Sequence, residues 1–246
     1  MITDFAYYKR KANFKSKYSG IDDPSNKHSK SPAGWFENYP VQNFDYQFNS
    51  WGFRGSEYDK FIGKPVNICL GDSFTVNVGG PIEHSWTSRL QEYLNLPTLN
   101  LGMDGAGNDA IRLVYDRAIK LFDVQQVFVM YSHFHRRLHN KEFTHYGPSK
   151  HASAPPHSDE ENFSYFEQQY IGGAYEAFLP TWCYKDTELK YIKLYENFDY
   201  LPGGKEKWAN RDYNHMNKEL NKMIADYYVE RIENEDRIYK DSKEKL

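Results

Sequence analysis

From Pro65 to Tyr131 the chain alternates short apolar runs with amphipathic stretches, and few folds accept that alternation. Val66 to Leu70 reads as a buried strand. Trp86, Leu90, Tyr93 and Leu94 then recur at i, i+4, i+7 and i+8, one face of a helix. "PTLNL" supplies a second short strand, and the next helix carries Ile111, Ala118, Ile119 and Phe122 on one face. "QVFVMY", Gln126 to Tyr131, is the strongest β run of the sequence. Strand, helix, strand, helix, strand implies right-handed crossovers and a parallel sheet covered on both faces.

Outside this stretch the pattern is less regular. Residues 1–60 are polar and aromatic with many turn formers, and are expected to form an arm packed on a main domain of residues 61–246. Within the arm, "DYQFNSWGFRGSEYD" suggests a hairpin with Gly52 and Gly55 at turn or bulge positions. Arg54 between them is either a surface charge or a donor facing a cleft. Residues 133–200 are read as an insertion or lid, beginning with a loop rich in His, Pro and Ser and continuing as an aromatic, helical segment from about 161. A closing helix from about Met216 places Met216, Leu220, Met223, Ile224 and Tyr228 on one face.

Composition excludes several functions. A formal net charge of -3 gives no basis for a nucleic-acid partner. No segment approaches the roughly 18 consecutive apolar residues of a membrane span, and "MITDFAYYKRKANFKSKYSG" has no apolar secretory core. A soluble, cytoplasmic protein is expected. Cys69 and Cys183 do not suggest a disulfide framework, and Cys69 reads as a small core residue. The 21 Tyr and 16 Phe supply much of the buried area that Leu and Val would otherwise provide.

Ligands of an open parallel sheet bind beyond the carboxyl ends of its strands. Three loops fall there: Gly71-Asp72-Ser73, "NLGMDGAGN" and "YSHFHRR". A fourth segment, "RDYNHMN", offers Asp212 and His215 just before the last helix. A serine hydroxyl needs a base within reach, itself oriented by a third group. His215 can take the Ser73 proton through one ring nitrogen while Asp212 holds the other. The backbone N–H groups of Ser73 and Gly105 can receive an oxyanion. The plainer readings are a helix-capping Ser73, an Asp212 favoured by a helix dipole, and a first-turn surface His215. Asp72 reads as structural, bonding loop amides.

This order of elements resembles the SGNH, or GDSL, hydrolase family. The match comprises Gly71-Asp72-Ser73, Gly105 in "NLGMDG" and Asp212-x-x-His215, and spans about 150 residues from Pro65. The resemblance implies a flavodoxin-like α/β/α sandwich of three layers with a parallel sheet of about five strands. It also implies hydrolysis of small, lipid or sugar O-acyl esters without metal or cofactor. One block departs from the family: where Gly-x-Asn supplies a third oxyanion donor, this chain reads Tyr131-Ser132-His133-Phe134-His135. Asn108, His133 and His135 are the candidate replacements.

Other motifs carry less. Gly102-x-x-Gly105-x-Gly107 is not the spacing of a dinucleotide loop. Six of nine histidines lie between His133 and His157, without the cysteine or carboxylate that a metal site would add, so no metal is expected. The expected activity is that of a serine esterase with Ser73, His215 and Asp212 as its triad, acting on a small ester or an O-acylated carbohydrate. An O-acyltransferase with the same triad, and an inactive glycan-binding module, are the alternatives.

Overall fold

The computed structural model describes residues 5–19, 22–23, 25, 32–145, 157–178, 207–212 and 215–243. An N-terminal arm comes first. It holds α1 (Ala6–Lys11), β1 (Lys15–Ser16), α2 (Trp35–Asn38) and β2 (Tyr46–Gln47), with β1 and β2 paired antiparallel. The main unit follows as β3 (Pro65–Gly71), α3 (Ser73–Val76), α4 (Trp86–Tyr93), β4 (Thr98–Gly102), α5 (Asn108–Ala118) and β5 (Asp123–Tyr131). A small antiparallel hairpin comes next, β6 (Arg136–His139) and β7 (Glu142–His145), then α6 (Asp159–Glu167) and β8 (Tyr175–Phe178). The last helix is α7 (Lys218–Lys243).

The central sheet has four strands in the order β4-β3-β5-β8, and every neighbouring pair is parallel. The chain is thus an α/β fold, with four strands among the described residues where about five were expected. β3 sits inside the sheet and is buried along its length after Pro65, which is why its sequence is apolar on both faces, apart from the buried Asn67, rather than alternating. The chain steps from β3 outward to β4, then returns past β3 to β5. With right-handed crossovers, that reversal places α4 and α5 on opposite faces. α7 joins α4: the Trp86 and Tyr228 rings lie 5.2 Å apart, and Tyr228 Oη donates to Val129 O at 2.8 Å. On the other face α6 sets Phe166 edge-on to Tyr131, with ring centroids 4.9 Å apart.

Several expectations shift in detail. Tyr93, Ile119 and Met223 face outward rather than into the core, at 49%, 44% and 41% exposure. Tyr93 instead donates its hydroxyl to Asp226 on α7 at 3.0 Å. The aromatic segment read as helical contains β8, and its remainder beyond Phe178 lies outside the described residues. The histidine-rich loop opens with the β6–β7 hairpin. The arm's expected hairpin is an antiparallel bridge between Phe48 and Arg54, closed through Gly52 at φ +83°. Cys69 is buried in the core as a free thiol. Among the described residues no helix is long and apolar enough to cross a membrane.

The arm is built into the main unit by two buried arginines. Arg54 is neither a surface charge nor a donor to a cleft. Its Nη1 donates to Val76 O at 3.0 Å and Asn77 O at 2.6 Å, its Nη2 donates to Gly80 O at 2.8 Å, and the guanidinium lies 4.3 Å from the Tyr46 ring centre. It thereby satisfies carbonyls at the end of α3 that have no partner within the helix. Arg211 does the same from the other direction, reaching Asp22 at 2.6 Å, Gln42 O at 2.9 Å and Lys17 O at 3.1 Å.

Candidate active site

The carboxyl ends of β3, β4 and β5 bring three loops together, and β3 delivers the first. Gly71 ends the strand where no side chain fits: a Cβ there would lie 2.0 Å from Thr75 Oγ1 and 2.9 Å from Met130 O. Asp72 caps α3, accepting from Phe74 N at 3.0 Å. Ser73 is therefore the first residue of a helix that starts directly at a strand end, and it is 4% exposed.

The same Asp72 is fully buried and accepts two further bonds through Oδ2, from Ser132 Oγ at 2.8 Å and Arg136 Nη1 at 2.6 Å. It ties the Ser73 turn to the loop after β5, beyond the local amide bonding its sequence position suggested.

The second component is the turn before α7. His215 Nδ1 and Asp212 Oδ2 are 2.5 Å apart, and Asp212 Oδ1 accepts from His215 N at 3.1 Å. Both residues are buried. Engagement of Nδ1 by the carboxylate leaves Nε2 as the ring nitrogen available for proton transfer. The glycine pair that follows Ser73 explains how this turn fits: a Cβ on Gly79 would stand 2.7 Å from Asp212 Oδ1, and one on Gly80 2.4 Å from Asn210 Nδ2. Gly79 also has φ +82°, and its N–H donates to Tyr46 Oη at 2.6 Å. The Ser73 segment meets the Asp-His turn through Phe74, whose ring centre is 4.6 Å from that of His215. Among the described residues no hydrogen bond joins Ser73 Oγ to His215, whose ring bonds Asp212. Such bonds are often long before substrate binds.

The electrostatics centre on His215. Burial disfavours its charged form, but the charge and hydrogen bond of Asp212, with the charges of Asp104 and Asp72, outweigh it and raise the imidazole pKa. Asp104 had no role in the sequence reading. It sits in the loop beside Gly105, and burial raises its pKa against the opposing pull of Lys11, His215 and Arg136. Arg136, on the hairpin, was likewise passed over, although its place beside a buried Asp72 gives it an obvious counter-charge.

Gly105 adopts φ +81° in the loop after β4. Asn108 points its side chain at the loop after β5, donating to Ser132 O at 2.9 Å and accepting from Ser132 N at 2.8 Å. His133 and His135 lie with ring centres 5.2 Å apart just beyond. Among the described residues no group of three or more His, Cys, Asp or Glu could hold a metal ion.

A search of family models and a search of curated proteins found no match to this chain. Solved structures do resemble it. One is a protein described as lipolytic and of the G-D-S-L family, from Desulfitobacterium hafniense DCB-2, at 17% identity and TM-score 0.40 over 68% of this chain and 98% of that one. Another is the psychrotrophic esterase EstA from Pseudoalteromonas sp., at 14% identity and TM-score 0.42 over 69% of this chain and 97% of that one.

Proposed function

We propose that the chain is a serine ester hydrolase of SGNH type with Ser73, His215 and Asp212 as its triad. The observation that carries this reading is the buried Asp212–His215 pair, joined at 2.5 Å and packed on the residue that follows Ser73. A structural histidine needs neither that orienting carboxylate nor a place beside a strand-end serine.

The reaction runs in two halves. Ser73 Oγ adds to the ester carbonyl carbon as His215 Nε2 takes its proton. The carbonyl electrons move onto oxygen, which the N–H groups of Ser73 and Gly105 receive. As the tetrahedral species collapses, the alcohol leaves with the proton held by His215. Water then attacks the acyl-serine with the same proton relay, releasing the acid and restoring Ser73. Asp212 keeps Nδ1 protonated and stabilises the imidazolium. The substrate is a small ester or O-acylated carbohydrate, and no metal or cofactor takes part in these steps.

The test is labelling by a fluorophosphonate probe alongside turnover of p-nitrophenyl acetate. Wild-type protein should label and turn over, and both signals should vanish in folded Ser73→Ala and His215→Ala. A folded wild type that does neither sinks the hydrolase reading and leaves a glycan-binding module to be tested.

A further inference from the structure

The arm helix α1 holds the loop that carries Gly105. Its two consecutive tyrosines meet adjacent residues of that loop. Tyr8 Oη donates to Met103 Sδ at 3.1 Å. Tyr7 is 2% exposed, and its hydroxyl is buried without a well-formed hydrogen bond, facing the Asp104 N–H. The loop is tied back to the Ser73 strand as well, since Met103 N donates to Gly71 O at 3.0 Å.

The β6–β7 hairpin closes on the same loop. The Phe143 ring centre lies 6.0 Å from that of Tyr7, and its edge is 3.5 Å from where a Cβ on Gly105 would stand. Arg10 and Glu142 join α1 to the hairpin in an ion pair at 3.0 Å.

A buried hydroxyl without a partner is costly and uncommon. Packing alone would be served as well by phenylalanine, with no polar atom to satisfy. Gly105, in turn, has no side chain to anchor its own peptide and sits at φ +81°, where glycine moves freely. Whatever fixes the direction of its N–H must act through neighbours.

We propose that Tyr7 is a positioning residue for the oxyanion hole, its hydroxyl accepting the Asp104 N–H and so aligning the adjoining Gly105 N–H on the substrate carbonyl. This rests on the hydrolase reading and deepens it: the arm becomes a working part of the site. The ring of Phe143, in contact with that of Tyr7, packs against Gly105 itself. The Tyr7–Asp104 hydrogen bond, not formed in the resting structure, closes when charge develops on the ester oxygen and draws the Gly105 N–H inward.

The experiment compares Tyr7→Phe, Phe143→Ala and Tyr228→Phe with wild type. The last removes a buried hydroxyl that bonds Val129 O at 2.8 Å on the other face of the sheet. The readouts are kcat and KM for p-nitrophenyl acetate, the rate of fluorophosphonate labelling and the melting temperature. Tyr7→Phe should lower kcat and the labelling rate about 10- to 100-fold, the scale expected of a small misplacement, with KM changed less than about threefold. Phe143→Ala, on an outer hairpin, should lower kcat in the same sense. Tyr228→Phe should lower the melting temperature and leave kcat as in wild type. Kcat within about twofold of wild type in folded Tyr7→Phe or Phe143→Ala overturns the proposal, as does an equal fall in all three variants. A wild type that neither labels nor turns over removes the hydrolase reading and this inference with it. A labelled wild type with an unaltered Tyr7→Phe removes the inference alone.

Discussion

Asn108 and Ser132 exchange two hydrogen bonds, Nδ2 to Ser132 O at 2.9 Å and Ser132 N to Oδ1 at 2.8 Å, so one buried amide mimics a strand partner between two loops. Ser132 is the residue whose hydroxyl also meets Asp72. The chain has no asparagine at the block after β5, and here an asparagine from the block before it holds that loop instead. With this bond pair made, the Asn108 side chain belongs to the scaffold of the site.

Asn108→Ala should therefore act first on stability. Two buried backbone groups lose their partners, each at roughly 1–3 kcal/mol, for a total of about 2–6 kcal/mol. Asn108→Asp should be no better, because it turns a carboxylate oxygen toward Ser132 O. Urea denaturation monitored by tryptophan fluorescence measures both. A loss below about 0.5 kcal/mol in Asn108→Ala would mean that the pair is dispensable.

Arg211 precedes Asp212 and is 1% exposed, with its guanidinium on Asp22 at 2.6 Å and against the Phe44 ring at 3.9 Å. Asp22 also accepts from Tyr46 Oη at 2.5 Å, and that same oxygen accepts from Gly79 N. Arg211→Ala leaves the Asp22 carboxylate buried without its cation, at a cost of about 3–5 kcal/mol. The melting temperature should fall by roughly 10 °C. Esterase activity of the protein that remains folded should also fall, since the Asp212 turn loses its anchor. A double variant, Arg211→Met with Asp22→Asn, should recover much of the stability, because no buried charge is left unpaired.

Arg136 gives a parallel case at the other end of the site. Asp72 is 0% exposed, and its carboxylate pairs with the Arg136 guanidinium at 2.6 Å. Arg136→Met should destabilise by about 3–5 kcal/mol. Asp72→Asn in the same chain should restore most of the loss, which a double-mutant cycle in thermal unfolding would read directly. Full additivity of the two changes would dissolve the claimed pair.

These pairs mark the boundary of what sequence reasoning reached. β3, α4, β4, α5 and β5 were legible because each buries a repeating apolar pattern, and burial is written into residue type at fixed spacing. Ser73, Asp212 and His215 could be named from the sequence because the proposed chemistry needs a hydroxyl, a carboxylate and an imidazole, and the structure joins the last two at 2.5 Å. Asp22, Arg211, Arg136 and Tyr7 were not. Asp22 and Arg211 lie 189 positions apart, Arg136 lies 64 from Asp72 and Tyr7 lies 97 from Asp104, and a buried ion pair leaves no local period. β8 was missed for a related reason: Tyr175 to Phe178 is too short to show alternation, and only its register against β5 makes it a strand. Tyr93 was misplaced because an amphipathic face is broad, and its hydroxyl finds Asp226 at the surface.

The pH response of His215 closes the argument, since activity and stability should move in opposite directions. His215 must be neutral to accept the Ser73 proton. Its pKa in the folded protein is raised above the ordinary 6.5: burial pulls it down, and Asp212, Asp104 and Asp72 together pull it further up. The acid limb of kcat/KM should then have its midpoint above that of an ordinary histidine, with activity gained as pH rises through it. The linkage to stability has the reverse sign. A histidine with a raised folded pKa binds protons more tightly in the native state, so its contribution is fully present below about 6.5 and is lost as pH rises through the folded value. Asp212→Asn removes the largest favourable charge and leaves burial dominant. In that variant the His215 pKa should drop, and kcat should fall by about 10³–10⁴ because the wrong tautomer is stabilised. A pH profile of kcat/KM, with His215 titrated by NMR in both proteins, measures all three quantities. An acid midpoint at or below 6.5 in wild type, or an unchanged His215 titration in Asp212→Asn, would show that the carboxylate does not govern the ring.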